Sequence, residues 1–295
     1  MLPGISTACF YPLPTEESLE ALVSLRPACL EVFLNAEQEL EPAFLQSLRG
    51  RADDAGAKIV SVHPHVSAME PMLFFSRYPR RFEDGMALYR RLYRAADILG
   101  ADSLVFHGDY IDSPLPMDEY FARFERLWED ARNHGVSLCQ ENVARCISGS
   151  AGFVAGMRRA LPWAEYILDI KQAVRAGEDV FELARVMGER IRHLHLSDHS
   201  ESQSCLPPGK GSFNMAELLN TVAKSGFSGG AIVELYGENF SGIVELSGSF
   251  QHLCTVLSTE QQIAQNAASE FRIGGNHDFV SGKPSQQAMD TETFT

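Results

Sequence analysis

The chain has 295 residues, is 45% hydrophobic and carries a formal net charge of −14 from 25 basic and 39 acidic side chains. That length suits one large α/β barrel, which takes about 250 residues. The acidic balance repels phosphate backbones, and the short basic run RYPRRF at 77–82 is followed at once by Glu83 and Asp84, so nucleic acid is not an expected partner. Cys9, Cys29, Cys139, Cys146, Cys205 and Cys254 are scattered, with no CxxC pair. They read as reduced, mostly buried thiols. The N-terminus MLPGISTACFYP lacks a basic region followed by an apolar run. No segment approaches the roughly 20 apolar residues of a membrane span. The expectation is a soluble cytoplasmic protein with no membrane partner.

In chain order, β-rich runs alternate with helical ones. Strands are predicted at GISTACF (4–10), CLEVFL (29–34), KIVSVHP (58–64), SLVFHG (103–108), VSLCQEN (136–142), YILDI (166–170), IRHLHLSD (191–198) and AIVELY (231–236). Helical periodicity fills the gaps: SLEALVSL after Thr15, PAFLQSLRGRADDAG ending at Gly56, EDGMALYRRLYRAADILG ending at Gly100, and MDEYFARFERLWEDARNHG ending at Gly135. FVAGMRRAL, VFELARVMG and NMAELLNTVAKSG follow, and a last helix is expected around 249–257. Period 3.6 alternating with short β-branched runs marks βα units on a parallel sheet. Eight such units predict a closed (β/α)8 TIM barrel over residues 1–257. The first βα turn has no G-x-G-x-x-G, which disfavours dinucleotide binding. Residues 258–295 read as an extra helix with a capping start at Thr259 and Gln262, then a polar tail from Gly274. Such a tail is mobile or orders against a neighbouring subunit, which leaves a homo-oligomer open.

Chemistry in this architecture sits at the C-terminal ends of the strands. The third run ends with His63 and His65, the fourth with His107, the fifth with Glu141 and Asn142. The sixth ends with Asp169, the seventh with His195 and Asp198, the eighth with Glu234. Singly, each reads as a cap, a loop residue or a satisfied core side chain. A barrel gathers all of them at one mouth, where unpaired carboxylates repel one another and resist desolvation. A divalent cation resolves that conflict, and mixed oxygen and imidazole ligands suit manganese, zinc, cobalt or magnesium. Along HLHLSDH, His193, His195 and Ser197 share one face. His195 is nearer the strand end and is the preferred ligand, with His193 one layer deeper. Asp198 and His199 begin the following loop.

Glu141, Asp169, His195 and Glu234, in the contexts QENV, LDIKQA, HLHLSD and IVELY, give the order Glu–Asp–His–Glu. Over residues 4–257 this resembles the xylose-isomerase-like barrel superfamily of sugar isomerases and epimerases, inositol-pathway enzymes and apurinic endonucleases. The resemblance implies one divalent ion, manganese first and magnesium, cobalt or zinc as alternatives, held by Glu141, Asp169, His195 and Glu234. It implies that Glu141 and Glu234 exchange protons with the carbon next to a sugar carbonyl. His63 and His107 match positions that bind further zinc ions in the endonucleases or contact substrate in single-metal members. Gln172 stands where the family commonly has histidine, and Gly209, Lys210 and Gly211 fall in the loop where endonucleases carry Asp-x-His. A three-metal cluster is therefore not expected. Glu201 and Ile147 replace an arginine and a glutamate of the ketose 3-epimerases, so the substrate shell differs from that subgroup.

The expected substrate is a small sugar, ketose or polyol, free or phosphorylated. His63, His107, Asn142 and Gln172 are candidate contacts, and the loop PPGKGSFN offers backbone N–H groups with Lys210 as counter-charge to a phosphate. Lys171 and Arg145 are weaker candidates, since loop cations are usually solvated. The leading expectation is a metal-dependent isomerase or epimerase working through an enediolate. A dehydratase of keto-inositols or 3-dehydroshikimate, an abasic-site endonuclease and a non-catalytic binder are the alternatives.

Overall fold

The computed structural model describes the backbone of residues 1–274 and the side chains of residues 1–260. Eight parallel strands close into a barrel in sequence order. They are β1 (Leu2–Ser6), β2 (Cys29–Phe33), β3 (Lys58–His63), β4 (Ser103–Phe106), β5 (Ser137–Glu141), β6 (Glu165–Asp169), β7 (Ile191–Leu196) and β8 (Gly230–Val233). The helices are α1 (Thr15–Val23), α2 (Pro42–Asp54), α3 (Glu70–Phe74), α4 (Pro79–Leu99), α5 (Met117–Asn133), α6 (Ala151–Ala160), α7 (Ile170–Ala176), α8 (Val180–Met187), α9 (Met215–Lys224) and α10 (Ile243–Gly274). All eight predicted strands are present.

The boundaries differ for local reasons. β1 stops at Ser6, whose hydroxyl accepts the N–H of Ala8 and turns the chain into a 3₁₀ segment over Thr7–Phe10. α3 and α7 were not expected, because five and seven residues are too short to show a helical period. α10 runs through 258 without a break. The Thr259 hydroxyl bonds back to the carbonyl of Thr255, as a residue inside a helix does, instead of capping a new one. The polar tail from 275 lies outside the described residues.

Strand alternation explains the two cores. Leu30, Val32, Leu104, Leu138, Leu168, Leu194 and Val233 pack outward in the main cluster shared with the helices. Inside the barrel, Cys29, Val60 and Ile232 form one small apolar cluster and Val105, Cys139 and Ile167 another. Two residues on, at the same inward-facing parity, come Glu31, Glu234, His107, Glu141 and Asp169. The barrel is thus plugged with apolar side chains below and lined with ionisable ones above. Parallel register holds the levels: Asp169 pairs with His195, and His195 with Ile232. Among the described residues no helix is long and apolar enough to cross a membrane.

Candidate metal and active site

Glu141, Asp169, His195 and Glu234 converge, each offering a ligand atom within 4.8 Å of the others. His195 is their common neighbour. Its Nδ1 lies 3.1 Å from Glu234 Oε2, 3.4 Å from Glu141 Oε1 and 3.5 Å from Asp169 Oδ2. All four side chains are buried. Asp169 has two duties. Its Oδ1 accepts the N–H of Gln172 at 2.9 Å and caps α7, which is why that helix starts directly after β6; its Oδ2 faces the cluster.

Beneath this group lies a residue that the strand-end reading did not find. Glu31, in the middle of β2, places Oε2 3.1 Å from both His193 Nε2 and His195 Nε2. Its Oε1 accepts the Ser6 hydroxyl at 3.1 Å. The signal was present in CLEVF, where Glu31 alternates inward with Cys29 and Phe33, but an acid in mid-strand does not mark a strand end. Burial pushes the Glu31 carboxyl up, and the facing His195 and His193 outweigh it, holding it well below the carboxylate range. Burial likewise pulls His195 down, and Glu234 and Glu31 outweigh it, so its imidazole is held well above its ordinary value.

Lys171 is the second residue whose place was underestimated. It is 2% exposed, and its Nζ donates to Asp169 Oδ2 and Glu234 Oε2. As the second residue of α7, it carries a side chain that tilts back toward the helix N-terminus and so toward β6 and β8. Burial works against its charge, but Asp169 and Glu234 prevail and hold the ammonium well above the usual range. Glu234 is held well below its ordinary value against burial by His195 and Lys171.

His63 and His107 flank Glu141, with His107 Nε2 2.9 Å and His63 Nε2 3.9 Å from Oε2. These three could also gather around a cation. Arg145 Nη2, however, sits 3.0 Å from His107 Nδ1, and a guanidinium there opposes a second ion. Burial and the neighbouring His107 pull His63 down to about 4. Glu70 of α3 supports the fourth strand end: its carboxylate accepts the His107 and Gly108 N–H groups at 2.8 and 2.6 Å and the Tyr89 hydroxyl at 2.5 Å.

A cavity of about 520 Å³ opens above the cluster, lined by Phe33, His63, His107, Glu141, Lys171, Gln172, Glu234 and Tyr236 among others. That size is ordinary for a small-molecule site. Gln172 reaches it, with Oε1 accepting the Ala144 N–H at 3.1 Å and Nε2 3.4 Å from the Tyr236 hydroxyl.

Two expected substrate contacts lie elsewhere. Asn142 is fully buried and spends its amide on the backbone of Asp169, accepting its N–H at 2.7 Å and donating to its carbonyl at 2.9 Å. It ties β5 to β6 and does not line the cavity. Lys210 lines a separate groove with Glu245 and His252. The cause is Asp198, whose carboxylate accepts the N–H groups of Gly209 and Phe213 at 3.1 and 2.9 Å and pins the loop back.

The site can be tested for a metal on its own geometry. The carboxylates hold His195 protonated here; once a divalent ion replaces the Nδ1 proton, with Nε2 still donating to Glu31, the Nδ1 lone pair would point among three carboxylates. Lone pair and carboxylates then share one need, a cation. Three carboxylates and one imidazole form a hard-to-borderline donor set that fits a divalent ion.

A family model described as xylose isomerase-like TIM barrel matches residues 27–266. The chain belongs to the xylose isomerase-like TIM barrel family. An uncharacterized protein of Mycobacterium leprae is 28% identical over 254 residues, covering 79% of this chain and 88% of that protein. Among solved structures, a D-tagatose 3-epimerase-like protein superposes with TM-score 0.74 at 19% identity, covering 90% of this chain and all of its own. The probable 3-DHS dehydratase AsbF of Bacillus anthracis gives TM-score 0.70 at 14% identity, covering 86% and 99%. This family member thus has both a sugar epimerase-like protein and a dehydratase among its structural neighbours.

Proposed function

We propose that the protein is a divalent-metal-dependent isomerase or epimerase of a sugar, ketose or polyol, free or phosphorylated. The observation that carries this is the meeting of Glu141 and Glu234, from the ends of β5 and β8, at His195 Nδ1 beneath one small-molecule cavity. Glu141, Asp169, His195 and Glu234 would hold the ion, manganese first and magnesium, cobalt or zinc as alternatives. When bound, the ion polarises a ketose carbonyl and its neighbouring hydroxyl. Glu141 and Glu234 face the substrate carbon from two sides, one to take a proton and the other to return it. Return to the same carbon on the other face inverts it; return to the neighbouring carbon interconverts aldose and ketose. Both routes pass through an enediolate. His63 and His107 reach the cavity as contacts for hydroxyl groups, and Gln172 joins them.

Lys171 favours a second reading. An ammonium beside Glu234 is a proton donor for a departing hydroxyl, as dehydration of a keto-polyol requires. One experiment separates the two. Manganese-loaded protein is incubated in deuterated water with a panel of ketoses, keto-inositols and their phosphates. Deuterium entering a C–H position without loss of water supports the isomerase or epimerase. Loss of water supports the lyase. Neither event with any member would overturn both.

A further inference from the structure

Lys171 is nearly inaccessible, yet it forms part of the cavity wall. Its Nζ bridges Asp169 and Glu234, two of the four groups in the proposed metal set, so this inference rests on that reading. Four carboxylates, Glu31, Glu141, Asp169 and Glu234, are buried within one connected cluster with His193 and His195. Among the described residues, Lys171 is the one lysine or arginine that bonds to those acids. A divalent ion in contact with the same Oδ2 and Oε2 atoms would sit beside the ammonium, and two cations at that spacing repel strongly in a buried site.

We propose that the Lys171 ammonium and a divalent ion are alternative occupants of the same place. Without metal, Lys171 neutralises the acids and keeps the site folded. Metal entry drives Nζ off Asp169 and Glu234 and into the cavity. The cavity it already lines receives it: Nζ lies 5.6 Å from the centroid of the Tyr236 ring, which Arg175 engages more closely at 4.6 Å, so the ammonium turns to the open cavity beside that ring. There the ammonium becomes a donor to substrate oxygen. The chain therefore builds its own competitor into the metal site, and its affinity for the ion is lower than the four ligands alone would give.

Two measurements test this. Mn²⁺ is titrated calorimetrically into the metal-free wild type and Lys171→Met; the variant is expected to bind about tenfold more tightly or better. In the wild type, amine labelling read by mass spectrometry should find Lys171 protected in chelator and modified at saturating Mn²⁺. Equal or weaker Mn²⁺ binding in the variant overturns the proposal while leaving the metal site standing. Protection of Lys171 that persists at saturating Mn²⁺ does the same, and decides the matter if the variant does not fold. Absence of Mn²⁺ binding in both proteins overturns the metal reading, and the competition with it.

Discussion

Glu31 Oε2 lies 3.1 Å from His195 Nε2, on the side of the ring opposite the three carboxylates that meet Nδ1. A carboxylate on the far nitrogen fixes the tautomer and plane of an imidazole and strengthens it as a ligand. Ser6 holds the other Glu31 oxygen, so the acid is itself positioned. Glu31→Gln should therefore fold but bind Mn²⁺ about 10- to 100-fold more weakly, by calorimetric titration. Unchanged affinity would remove Glu31 from the account.

Glu234→Gln keeps the shape of the side chain and removes its capacity to carry a proton. Exchange of substrate C–H with deuterated water should fall by at least about 100-fold in this variant. Circular dichroism should show the barrel intact. Full exchange activity would end the acid–base assignment.

Asn142 predicts a structural phenotype. Its amide satisfies both the N–H and the carbonyl of Asp169 inside the barrel. Asn142→Ala strands the buried Asp169 N–H, while the Asp169 carbonyl keeps the first hydrogen bond of α7; the cost is about 1–3 kcal/mol, and the strand that carries a ligand loosens. Urea denaturation measures the loss. A variant as stable as the wild type, with only weaker substrate binding, would restore Asn142 to the substrate shell.

Glu70 predicts a pH dependence. Burial pushes its carboxyl up to about 7, against the hydrogen bonds from Tyr89, Gly108 and His107 and the charge of His107 that pull it down. A carboxyl raised in the folded state stabilises it fully below its unfolded value of 4.5, and that contribution is lost as pH rises through about 7. Glu70→Gln has no such titration and its amide oxygen can still accept a peptide N–H. Between pH 4 and pH 8 the variant should therefore gain on the wild type by roughly 3 kcal/mol, read from paired denaturation curves. A pH-independent difference would mean that Glu70 is ionised throughout.

The barrel and the meeting of Glu141, Asp169, His195 and Glu234 were legible because each depends on a short-range signal: an alternating strand, an inward parity and a terminal polar residue. His193 and His195 fall on one face for the same reason. Glu31 escaped because its partners, His193 and His195, lie across the barrel and far along the chain. Lys171 looked like a solvated loop cation; only the helix capped by Asp169 turns it inward. Lys210 depended on the distant hold of Asp198 on its loop, which a glycine-rich stretch does not announce. Asn142 has the donors and acceptors of a sugar contact, and a neighbouring peptide matches them equally well.

The most direct test of the whole account is ion quantification after Mn²⁺ loading and desalting, on the wild type, His195→Ala and His193→Ala. The account predicts one ion per chain in the wild type, loss in His195→Ala and retention in His193→Ala. A wild type that holds no ion, or one that loses it in His193→Ala alone, would contradict it.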